Sequence, residues 1–130
     1  MANQKDLENA LKYSKLMKQG KYAEAAKINL SHADLSYATL SNANLTFANL
    51  TEANLSHATL SYANLSDADL SRANLSDAYL THANLSFADL SHANLSLANL
   101  SLANLFLADL SHANLSGAKI SIGNVNRIIK

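Results

Sequence analysis

The chain has 130 residues, 48% of them apolar, with equal numbers of acidic and basic side chains. That length suits one small domain with enough apolar material for a core. With no Cys there are no disulfides or cysteine metal sites, Met1–Lys5 lacks the apolar run of a leader, and no stretch approaches the roughly 20 apolar residues of a membrane span, so a soluble cytoplasmic protein is the expectation.

The neutrality hides a segregation. Residues 1–27 carry six Lys against Asp6, Glu8 and Glu24. Residues 28–118 carry seven carboxylates against Arg72 alone, and residues 119–130 carry Lys119, Arg127 and Lys130. A basic–acidic–basic layout describes surfaces and partners, not fold.

The first expected unit is an N-terminal helical cap over residues 1–27. Asn3 reads as an N-cap with Asp6 three residues later, opening a helix over 3–19 with Leu7, Ala10, Leu11 and Met17 on one side. Gly20 breaks it, and residues 21–27 read as a second short helix leading to Ile28.

The second unit, residues 28–122, obeys one five-residue rule. Leu recurs at every fifth position from Leu30 to Leu115, eighteen times, and Ala stands two residues earlier from Ala33 to Ala118, again eighteen times. Taking the Leu position as i, position i−1 is Asn or Asp in fourteen of the eighteen pentads from Asp34 to Lys119. Position i+1 is Ser or Thr from Ser31 to Ser121 except at Phe106, and i+2 reads as free. Leucines five apart scatter around a helix, and in one long strand they alternate between faces. The pattern works when the chain turns a corner within each pentad, pointing Ala and Leu inward and the other three positions outward. Asn, Asp, Ser and Thr suit such corners because their side chains bond nearby backbone. Each coil then buries its leucines against its neighbours, giving an all-β solenoid.

The number of sides per coil does not follow from the pattern. The A-(N/D)-L-(S/T)-X register, however, resembles that of the pentapeptide-repeat family, especially its small, very regular cyanobacterial members. The resemblance implies a right-handed quadrilateral β-helix of nearly five coils, about 25 Å long at the usual inter-strand spacing. Residues 123–130 read as a degenerate C-terminal end.

Stacking residues twenty apart sorts the outward side chains into columns. One face carries Asp69, Asp89 and Asp109 in one column and Glu52, Arg72, His92 and His112 in another. It is the most polar face and the candidate interaction face. Like charges one coil apart repel, so the Asp run is not expected to serve stability. Near the C-terminal end, Leu97, Leu102 and Leu107 occupy outward positions and Phe106 interrupts the Ser/Thr column. They are the candidate contacts of a homodimer joined through the C-terminal coils, an arrangement that the resemblance also implies.

Asp89, His92, Asp109 and His112, with serines between, hold the ingredients of a catalytic triad or a zinc site. These are common letters of the repeat on a convex face, so the expectation is no catalytic residue, no metal and no cofactor. The leading reading is a non-enzymatic scaffold or protein-interaction module. Direct binding to nucleic acid is disfavoured by the acidic body. The alternative is a DNA mimic acting on DNA gyrase or topoisomerase, a role the resemblance implies for surfaces of dense negative charge.

Overall fold

The computed structural model describes residues 1–121 and 124. Between stacked coils, where Asn or Asp stands at i−1, every backbone N–H of a pentad finds an acceptor, as residues 70–74 show. Leu70 N donates to Asp89 O at 2.7 Å and Arg72 N to Ser91 O at 2.9 Å, both on the following coil. Asn74 N donates to Ala53 O at 2.9 Å on the preceding coil. Ala73 N closes the corner onto Leu70 O at 3.0 Å, and Ser71 N donates to Asp69 Oδ1 at 3.0 Å. No N–H of this pentad is left over, which is what a coil of short straight sides needs to persist.

The resulting parallel bridges join residues twenty apart, from Asp34–Asn54 to Asn94–Asn114, so four pentads complete one coil. Each side contributes a single bridging residue. Among the described residues the pairing lengthens to a strand pair only at β1 (Asn99–Leu100) and β2 (Lys119–Ile120), in parallel register Asn99–Lys119 and Leu100–Ile120.

The core is a stack of Leu and Ala. Leu35, Leu50, Leu70 and Leu90 have no exposed surface, and the paired alanines are buried beside them from Ala33 to Ala103. Alanine at i−2 lets the walls approach. Leucine at i fills the axis, at about 1.5–3 kcal/mol for each side chain fully buried.

The i+2 position is not free. All seventeen residues from His32 to His112 at this position have φ between 54° and 63°, and Gly117 has φ 71°. The preceding Ser or Thr has no such positive φ, so each corner has the φ signs of a type II turn. β-branched residues fit this left-handed region worst, and none stands at i+2 between His32 and Gly117. The diversity of the position conceals a rule of exclusion.

At the N-terminal end α1 (Gln4–Lys18) begins where Asn3 Oδ1 accepts from Lys5 N at 2.9 Å and Asp6 N at 3.2 Å. Gly20, at φ 74°, ends that turn, and α2 is confined to Tyr22–Ala25, shorter than the expected 21–27. The helix also serves the first coil, whose ladder groups have no coil before them. Asp34 N donates to Asp6 Oδ2 at 2.8 Å and Asn44 N to Ser14 Oγ at 2.8 Å. Asn3 N donates to Asp34 O at 2.9 Å, and Tyr13 Oη to Thr46 O at 2.5 Å. Burial pushes the Tyr13 hydroxyl above its ordinary pKa, which keeps it a donor. The packed side of α1 is Ala10, Tyr13, Leu16 and Met17; Leu11, grouped with them from sequence, is exposed.

At the other end the ladder is completed by side chains. Leu102 N donates to Ser121 Oγ at 2.7 Å, and Asn124 Nδ2 donates to Ala103 O at 2.8 Å. Elsewhere these places are held by a backbone carbonyl and a backbone N–H. Asn124 is helical, so it does not continue the pentad pattern. The rest of the expected degenerate end, 123 and 125–130, lies outside the described residues, as does Ile122. No helix among the described residues is long and apolar enough to cross a membrane.

Candidate interaction surface

The Asp column is built into the turns. Asp69 Oδ1 accepts from Ser71 N at 3.0 Å and Ser71 Oγ at 2.6 Å. Asp89 Oδ1 does the same with Ser91 at 2.9 and 2.6 Å, and Asp109 Oδ1 accepts from Ser111 N at 2.9 Å. Asn49 in the same column makes the identical pair with Thr51. The expectation that the Asp run has no stabilising part is therefore corrected: one oxygen of each carboxylate locks its corner, as the amide oxygen of Asn does elsewhere.

The carboxyl pKa values carry the mark of these bonds. Partial burial of Asp69 raises its pKa, but the Ser71 hydroxyl and N–H outweigh it and the net shift is downward. The Asp109 carboxyl is lowered first by the Ser111 hydroxyl and N–H, with further help from His112 and His92. The lowered pKa favours the ionised form of the Asp69 and Asp109 carboxyls.

The neighbouring corner column is His32, Glu52, Arg72, His92 and His112. His32 Nδ1 lies 3.6 Å from Glu52 Oε2, with both side chains exposed. The His92 and His112 rings stack at 4.7 Å with 10° between planes. Arg72 makes no ion pair among the described residues, although Glu52 stands one coil away in the same column. Stacking recurs at other corners, where Tyr37 lies on His57 and Tyr62 on His82, each at 4.6 Å. His57 in turn sits 3.9 Å from Asp77. Among the described residues, no three His, Cys, Asp or Glu come close enough together to hold a metal ion.

Leu97, Leu102 and Leu107 stand at three neighbouring corners, 62%, 64% and 66% exposed. Phe106 meets Phe87 edge-on, ring centroids 5.6 Å apart, which gives the break in the Ser/Thr column a local packing role. Just beyond them, Leu110, Leu115 and Ile120, inward by the repeat rule, are only partly buried. The structure thus brings the polar candidates onto one face and its adjoining corner, and the apolar candidates into a separate band near the C-terminal end.

Pentapeptide-repeat family models match residues 28–61, 48–86, 58–96 and 83–121. The chain belongs to the pentapeptide-repeat family. A pentapeptide-repeat protein from the Arabidopsis thaliana thylakoid lumen is 32% identical with a TM-score of 0.71, over 78% of this chain and 72% of that one. HetL from the cyanobacterium Nostoc, involved in heterocyst differentiation regulation, is 40% identical over 70% of this chain and 48% of its own, with a TM-score of 0.46. A pentapeptide-repeat protein from the cyanobacterium Cyanothece is 39% identical over 69% and 61%, with a TM-score of 0.39. The chain therefore spans about half of HetL and three fifths of the Cyanothece protein. No curated protein matches it in sequence. Pentapeptide-repeat proteins fold as right-handed quadrilateral β-helices, and the twenty-residue bridge interval here matches four pentads to a coil.

Proposed function

We propose that this pentapeptide-repeat protein is a non-enzymatic binding rod of nearly five coils, closed at its N-terminal end by α1, that recognises a protein partner through its most polar face. The contact residues are Asp69, Asp89 and Asp109 with Glu52, Arg72, His92 and His112. The observation that carries this reading is the division of labour within each pentad. Ala and Leu are spent on the core and the corner bonds are made by backbone and Asn, Asp, Ser or Thr. The corner side chain at i+2 is thereby left to vary among residue types that accept a positive φ. A rigid, convex array of this kind suits surface recognition and lacks the enclosed cleft that catalysis needs.

The DNA-mimic alternative requires an unbroken acidic stripe. Here the column begins with Asn29 and Asn49, and the corner beside it carries Arg72 and three His. One experiment separates the readings. The triple variant Asp69/Asp89/Asp109→Asn removes charge but keeps the oxygen that each corner uses. Capture of a host protein by the parent, lost with the variant, supports the binding face. Undiminished capture moves the site elsewhere, and inhibition of gyrase supercoiling that disappears in the variant promotes the mimic.

We further propose that two chains associate through the band of Leu97, Leu102, Phe106 and Leu107, because exposed apolar surface contiguous with a half-buried coil end gains most from a second copy.

A further inference from the structure

The concave part of the molecule lies at its N-terminal end, where the Asn29 and Asn49 start of the Asp column meets the helices. Where α1 and α2 meet the first coils, a half-open groove of about 700 Å³ is walled by Tyr13, Met17, Tyr22, Ile28 and Phe47. The volume falls within the roughly 300–1,000 Å³ of small-molecule sites, and apolar, aromatic walls are their usual composition. Phe47 and Tyr22 expose most of their surface here, although both could have been polar at no cost to the core.

The polar part of the lining is one-sided. It comes mainly from Asn29, Asn44 and Asn49. Asn29 Oδ1 accepts from Ser31 N at 2.9 Å. Asn44 Oδ1 accepts from Thr46 N and Oγ1 at 3.1 and 2.6 Å, and Asn49 Oδ1 from Thr51 N and Oγ1 at 3.1 and 2.7 Å. A backbone N–H can only donate, so these bonds fix which end of each amide is oxygen. The three Nδ2 groups have no partner among the described residues. The groove therefore offers aromatic walls and a rim of hydrogen-bond donors. None of its lining residues is acidic, and Lys21 and Lys27 bracket the lining segment from Tyr22 to Ala26, with Glu24 between them.

We infer that this groove is a binding site for a small, flat aromatic molecule carrying an anionic oxygen group. The rings stack against Phe47 and Tyr22, and the anion takes the amide N–H groups of the Asn rim.

The probe is 8-anilinonaphthalene-1-sulfonate, an aromatic sulfonate whose fluorescence rises on leaving water, titrated into the full chain. One saturable site per chain is expected. Phe47→Ala and Tyr22→Ala weaken it at least about tenfold, the loss of one stacking contact. Asn49→Asp weakens it as much while keeping the fold, because Asp69, Asp89 and Asp109 hold the same column position with the same corner bonds. Phe87→Ala and Leu102→Ser, which remove exposed apolar side chains outside the groove, leave the affinity unchanged. Absence of saturable binding overturns the site. So does binding that Leu102→Ser or Phe87→Ala weakens as much as Phe47→Ala does, and an affinity indifferent to Asn49→Asp overturns the anion-binding rim.

Discussion

Leu97 Cδ2 lies only 2.7 Å from where a Cβ on residue 117 would stand, so Leu97 occupies the space left by the missing side chain of Gly117. The two residues are stacked one coil apart, with Leu97 N donating to Ser116 O at 2.9 Å. Gly117 also has φ 71°, in the region glycine enters most easily. Gly117→Ala therefore both strains the corner and displaces the Leu97 side chain. A loss of about 1 kcal/mol is expected. Since Leu97 is flexible at that end, Leu97→Ala should return about half of the cost. A double-mutant cycle in urea checks the coupling; strict additivity would mean that the leucine moves aside freely.

The repeat's interior and corner positions should respond oppositely to the same kinds of change. Leu70→Ala should cost about 2–5 kcal/mol through a cavity that neighbouring coils cannot close. Ala68→Leu should cost about 1–3 kcal/mol by overpacking the wall. Arg72 is exposed and unpaired among the described residues, so Arg72→Ala should cost under ~1 kcal/mol. Arg72→Val should be worse than Arg72→Ala, because the φ of 59° tolerates no branching at Cβ. Thermal melts of the four variants check the order. A surface change as damaging as Leu70→Ala would contradict the inward and outward assignment.

The carboxylates at i−1 tie stability to pH. Asp34 is held below the ordinary carboxylate value chiefly by the Ser36 hydroxyl and N–H, and Asp69 and Asp109 are lowered as well. A carboxyl whose pKa is lower in the folded state binds fewer protons there than in the unfolded chain. Its contribution is complete above the unfolded value near 4 and is lost as pH falls through the folded value. Acid unfolding is thus expected to deepen below about pH 4. Asp34/Asp69/Asp109→Asn should flatten that acid limb, because Asn keeps the accepting oxygen but does not titrate. Urea midpoints from pH 6 downward check it; an unchanged acid limb would assign the sensitivity to other groups.

The repeat was legible because its rule is written at every pentad. The columns that stacking by twenty assigned are the columns that the bridges form, from Asp69–Asp89 and Asp89–Asp109 to Asn94–Asn114. What periodicity concealed was local conformation. Position i+2 looked free since so many residue types occur there, and only the uniform positive φ shows what they share. The Asp column looked like a surface feature, because repulsion along it is visible in sequence while the Ser71 hydroxyl at 2.6 Å is not. The groove between α1 and the first coils had no sequence signal. It depends on where a non-repeating helix rests, set by single contacts such as Tyr13 to Thr46 and Ser14 to Asn44.

The proposed association at the C-terminal coils follows from what the corner side chains forgo. Leu97, Leu102 and Leu107 remain more than half exposed, although each would contribute about 1.5–3 kcal/mol if fully buried. Elsewhere i+1 is Ser or Thr and apolar residues at i+2 are single, as Phe47 and Phe87 are, so four apolar side chains around one coil are a concentrated departure. Two rods meeting about a two-fold axis would cover both copies of the band with one contact, whereas a head-to-tail contact would leave one band uncovered and continue into a fibre. Light scattering across a dilution series should give a dimer mass that falls to the monomer on dilution. The Leu97/Leu102/Leu107→Ser variant should be monomeric throughout and melt like the parent diluted to monomer, since none of the three belongs to the core. A monomer mass for the parent at every concentration would refute the association, and a dimer that survives the triple variant would place its contact on another face.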